Sequence, residues 1–123
     1  MDQASLVSEG TKLVGWLDDT EIKPRAAMWV YNSETEAWRL WIVPASKIEK
    51  LEFYQILSKV ISRHRDDIPG FDISLVQFKS DKNPAVSGLS KMIHMEGLGS
   101  AHFSNNTMNG YLLPDGIVLR MAI

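Results

Sequence analysis

The sequence has no cysteine, which excludes disulfides and thiolate metal ligands and leaves packing to hold the chain together. No apolar run approaches the roughly 18 residues that suggest a membrane span, and the Met-Asp-Gln-Ala start lacks the basic and apolar pattern of a secretory signal. A cytoplasmic protein without a membrane partner is therefore expected. An excess of one charge is missing too: 13 Lys and Arg stand against 15 Asp and Glu, a net charge of -2. With no long basic block, the electrostatic footprint of a nucleic-acid binder is absent. H-E-x-x-H, the phosphate-binding loop, the dinucleotide fingerprint and the G-x-S-x-G elbow are all missing, so no cofactor is expected. Asn105-Asn106-Thr107 has the form of a glycosylation acceptor, which has meaning only in a secreted protein.

What is present fits one folded domain over residues 1–123. Hydrophobic residues make up 45% and charged residues 23%, too apolar a balance for disorder. Leu6, Gly10, Leu13, Val14 and Leu17 form one helical stripe that Asp2 or Ser5 can cap, with Gly10 permitting close backbone approach. Met28 to Tyr31 and Trp38 to Val43 flank a polar segment, Asn32 to Glu36, as a hairpin does. Ser46-Lys47-Ile48-Glu49 has the form of a capping box, and Phe53, Leu57, Val60, Ile61 and His64 continue as a second helical stripe, off which Ile48 and Leu51 fall. The helix starts about the box or later.

Phe71 to Phe78 reads as a strand with two apolar faces, suited to a central position in a sheet. Asn83-Pro84 opens a third helix that Gly97 can stop. The tail alternates at Ala101/Phe103 and at Ile117/Leu119/Met121/Ile123, with a tight turn predicted at Leu113-Pro114-Asp115-Gly116. The expected class is α+β, an antiparallel-rich sheet of about five strands with three helices, in the order α-β-β-α-β-α-β-β.

Ala27-Met28-Trp29-Val30-Tyr31, Trp38-Arg39-Leu40, Asp72-Ile73-Ser74-Leu75-Val76, Phe103-Ser104-Asn105 and Met108-Asn109-Gly110 together resemble a group of small bacterial proteins of uncharacterised function. The resemblance spans most of the chain. It implies one compact domain and brings no activity, cofactor or site.

The candidate sites are of three kinds. His64, Asp66 and Asp67 are residue types used by metal sites and acid–base pairs, but a histidine at a helix end and aspartates in a turn serve structure equally well. His94 and Glu96 are two apart on the expected third helix and point apart there, so no metal site is expected. His102, Ser104, Asn105, Asn106 and Asn109 form a dense uncharged polar group, with His102 and Ser104 on one strand face, suited to a small polar ligand.

The third kind is aromatic. If Tyr31 pairs with Ala37, then Trp29, Tyr31, Arg39 and Trp41 share one sheet face, and these residue types are enriched at binding hot spots. Either the first helix covers that face or a partner does. The expected function is a non-catalytic binding or assembly domain that self-associates or takes a protein partner. The alternative is a small enzyme or ligand-binding protein using the His/Asn/Asp groups.

Overall fold

The computed structural model describes the backbone of residues 2–45, 47–108 and 111–123, and the side chains of these outside 105–114. The class is α+β: three helices and a five-stranded mixed sheet in the order β3-β2-β1-β5-β4. The strands are β1 (Ala26–Asn32), β2 (Ala37–Val43), β3 (Val76–Phe78), β4 (Ala101–Met108) and β5 (Tyr111–Met121). Only β2 and β3 run parallel; every other neighbouring pair is antiparallel. The helices are α1 (Gln3–Leu17), α2 (Lys50–Arg63) and α3 (Pro84–Ser90). Among the described residues no helix is long and apolar enough to cross a membrane.

α1 forms where its stripe predicts. Asp2 caps it, one carboxylate oxygen accepting the free Ser5 N–H at 2.8 Å, and Leu6, Gly10, Leu13, Val14 and Leu17 are all buried. They pack with Phe53, Leu57, Val60 and Ile61 of α2 on the sheet face that carries Ala27, Trp29, Leu40, Ile42, Ile117 and Leu119. α2 starts beyond the predicted capping box: Glu49 is its N-cap and contributes no side-chain hydrogen bond, Ser46 lies outside the described residues, and Leu51 is exposed. α3 covers the opposite face, where Ala85, Val86 and Leu89 meet Ala26, Met28, Val30, Val43, Phe103, Val118 and Met121.

The hairpin register differs by one residue from the expectation. Asn32, not Tyr31, lies opposite Ala37, and Tyr31 pairs with Trp38. Asn32 shapes the turn by accepting the Glu34 and Thr35 N–H groups at 2.9 and 3.3 Å, and Glu36 turns the chain at a positive φ of 52°. A slip of one residue transfers every β2 side chain to the other face. Trp29 therefore sits with Leu40 under α1 and α2, while Trp41 sits beside Met28 on the α3 face.

Three further expectations are corrected. The predicted central strand at Phe71–Phe78 is a short 3-10 turn, Ile73–Leu75, followed by β3 at the sheet edge. Asp72 draws in the N–H and hydroxyl of Ser74 and so curls the chain before it extends. α3 begins as predicted, with the Asn83 side chain accepting from Ala85 and Val86, but ends at Ser90 instead of near Gly97. Beyond it, both backbone groups of Met95 bond to Met121, a pairing that helical geometry would forbid.

The tight turn predicted at 113–116 is absent. β4 and β5 pair as far as Met108 opposite Tyr111, and Asp115 and Gly116 lie within β5. Gly116 instead provides space for the Phe103 ring: a Cβ there would lie 1.8 Å from the ring's Cζ. Near the end of β5 a register shift sets Arg120 toward the α1 end, where its guanidinium holds both oxygens of Asp18 at 2.6 and 2.9 Å and the Pro24 carbonyl at 3.0 Å.

Candidate functional site

The hairpin register determines which aromatic groups remain available. On the α3 face, Arg39, Trp41 and Val43 follow one another along β2, opposite Val30, Met28 and Ala26. α3 lies over β4 and β5, so the β2 side of this face is only partly covered. Trp41 packs against the α3 cluster yet stays half-buried. Parallel pairing places Gln77 of β3 beside Trp41, and the chain continues to Lys79, whose N–H donates to the Ile42 carbonyl at 2.9 Å.

The result is a strip of four half-buried side chains, Arg39, Trp41, Gln77 and Lys79. The Lys79 ammonium lies 4.5 Å from the centroid of the Trp41 ring, a cation–π contact worth about 0.5 to 1 kcal/mol at a surface. Partial burial, with repulsion from Lys50 added, holds the Lys79 amine below its ordinary 10.5. Arg39 donates to its neighbour's carbonyl, Trp38 O, at 3.0 Å. Neither Arg39 nor Lys79 has a carboxylate partner among the described residues, whose ion pairs involve Arg25, His64, His94 and Arg120.

The four residues expected to share one face are split two and two: Arg39 and Trp41 lie on the α3 face, Trp29 and Tyr31 on the opposite one. Trp29 is fully buried and belongs to the core: its indole N–H donates to the Leu6 carbonyl at 2.7 Å, and Phe71 packs edge-on to its ring. Tyr31 lies on Trp29's side of the sheet, tilted against Trp38 with ring centroids 5.3 Å apart. Lys79 and Gln77 join the strip unannounced. Their only local signal is alternation within a short strand, and which strand they would lie beside depends on a parallel pairing that no local pattern encodes.

Of the three histidines, His64 is packed into the fold and the other two are exposed. His64 stacks flat on Trp16 of α1, centroids 3.8 Å apart and planes 8° from parallel, with Asp67 at 3.6 Å; it joins the ends of the two helices. His94 and Glu96 are exposed and 3.6 Å apart, because the segment after α3 is not helical. Asp66 is exposed in the turn after α2. Among the described residues no three metal-ligating side chains converge.

His102 and Ser104 are exposed on β4, opposite Ile117 and Asp115. Asn105 and Asn106 continue that strand, but their side chains, and all of Asn109, lie outside the described residues. A separate open cleft of about 650 Å³ runs between α2 and the loop after α1, lined by Asp19, Glu21, Lys23, Glu52, Gln55 and Lys59 among others. Its walls carry charges of both signs, and among the described residues none that is polar or charged is buried. No family model, curated protein or solved structure matches this chain.

Proposed function

We propose that this chain is a non-catalytic binding or assembly domain whose contact surface is the strip formed by Arg39, Trp41, Gln77 and Lys79. One observation carries the reading. A tryptophan is held half-exposed on a sheet face between two cations that lack carboxylate partners among the described residues. Tryptophan and arginine are the side chains most enriched at binding hot spots, where release of their bound water and their planar contact area contribute most.

The burial of Trp29 narrows the surface. It leaves one half-buried tryptophan on this face in place of two, which suits a compact contact better than a broad one. The test is mass in solution by light scattering, with the Trp41 indole followed by NMR, for the parent and for Trp41→Glu. Concentration-dependent shifts confined to Arg39, Trp41 and Lys79, lost in the folded variant, are the expected result for self-association. For a different protein partner, the expected result is that binding to it is lost in the same variant. Binding that survives Trp41→Glu removes this surface from the function.

A further inference from the structure

We infer that the Arg39–Trp41–Lys79 strip receives an acidic, partly apolar peptide segment lying across the sheet face. The inference rests on the binding reading above and deepens it by naming the partner's chemistry. Charge complementarity is the first argument. In a chain of net charge -2, Arg25 pairs with Asp81 and Arg120 with Asp18; of the lysines and arginines without such a pair among the described residues, Arg39 and Lys79 are the ones that lie on either side of Trp41. An incoming carboxylate gains attraction to both without displacing an internal partner.

The second argument concerns how the segment lies. β3 is the neighbouring sheet edge, and a peptide adding there as a strand would need its outward backbone groups. Most of those groups are taken: the Tyr54 hydroxyl accepts the Phe78 N–H at 3.1 Å and donates to the Val76 carbonyl at 3.3 Å, and the Val76 N–H donates to the Ile73 carbonyl. Recognition therefore falls to side chains on the face, with the part of Trp41 that Lys79 leaves exposed supplying apolar area and the cations supplying charge.

A single-stranded nucleic acid is the rival with similar chemistry, since bases stack on exposed tryptophans beside basic grooves. Here the Lys79 ammonium already lies over the Trp41 ring, so a base has to displace it. Arg39 and Lys79, even with Lys50 near enough to repel Lys79, are too few to form a track along a phosphate backbone. The partly desolvated Lys79 ammonium gains from an anion placed beside it, which restores the charge stabilisation that burial removes.

The test titrates the labelled full chain at low ionic strength with a short peptide of alternating glutamate and leucine. Its glutamine and lysine counterparts and a thymidine oligonucleotide are run beside it. The readouts are the Trp41 indole and Lys79 amide shifts. The expected result is saturable shifts with the glutamate peptide, weakened by salt and by about two- to fivefold in each of Lys79→Gln and Arg39→Gln. Equal binding of the glutamine peptide overturns the acidic preference while leaving the strip a docking face. Tighter binding of the oligonucleotide, or a dimer that buries Trp41 and excludes the peptide, overturns the peptide assignment in favour of that occupant. If no probe shifts Trp41 and Trp41→Glu leaves mass and partner binding unchanged, the inference and the binding reading fall together.

Discussion

The indole of Trp29 lies against the backbone of α1, and Gly10 makes that approach feasible. A Cβ at Gly10 would sit 2.7 Å from both the Trp29 Nε1 and a Leu119 methyl. The Leu119 methyl can turn away, but Trp29 is tied by its hydrogen bond to the Leu6 carbonyl. Gly10→Ala gains about 1 kcal/mol of helix propensity and loses more to overpacking, typically about 1 to 3 kcal/mol. Urea unfolding should show a net loss of up to about 2 kcal/mol, from the same ranges. Gly15, also in α1, has no atom within 4 Å of its virtual Cβ, so Gly15→Ala should stabilise by about 0.5 to 1 kcal/mol. Opposite signs for one substitution within one helix separate packing from propensity. Gly10's place in the apolar stripe makes its role legible from sequence; the identity of the group it accommodates is not.

At the scale of elements, the edges of the sheet have to be managed, because unpaired backbone groups recruit other strands. β3 is three residues long and bonds to β2 on one side. Since the Lys79 N–H points at Ile42, the groups at Val76 and Phe78 face away from β2, and there the Tyr54 hydroxyl of α2 meets both. Tyr54→Phe keeps the ring contact with Phe53 and removes the hydroxyl, leaving a donor and an acceptor unsatisfied. The expected cost is about 1 to 3 kcal/mol, with faster hydrogen exchange at the Phe78 amide. A Phe78 amide as protected in the variant as in the parent would refute the edge-capping role. Tyr54 sits beside the Phe53–Leu57 stripe and looks, in sequence, like an extension of it; only the arrival of β3 gives its hydroxyl a purpose.

At the scale of the whole molecule, two exposed aspartates link folding to acid. Asp2 and Asp72 each hold their carboxyl below the ordinary 3.8, Asp2 through hydrogen bonds from Ser5 and Asp72 through those from Ser74. A carboxyl depressed on folding adds stability above its unfolded value and loses it as pH falls through the folded one. Stability should therefore decline on acidification from about pH 4 downward, and Asp2→Asn with Asp72→Asn should flatten that limb in pH-dependent thermal unfolding. An unchanged acid limb in the double variant would exclude these two carboxylates as its source.

The sequence by itself determined the elements: the α1 and α2 stripes, the Asn83-Pro84 start of α3, the aromatic hairpin and the α+β order. Each is dictated by periodicity, capping or turn chemistry within a few residues, and such signals survive without knowledge of the rest of the chain. Only the tertiary structure decided which face each residue occupies. The hairpin register turned on a single residue at Asn32, and both alternatives place apolar side chains on both faces, so β2's own pattern cannot choose between them. What selects the register is packing: α1 and α2 bury Trp29 with Leu40, and the parallel arrival of β3 brings Lys79 over Trp41. The candidate site is complete only after those distant segments meet, because Arg39 and Trp41 lie on β2 whereas Gln77 and Lys79 arrive with β3, a pairing that local sequence does not encode.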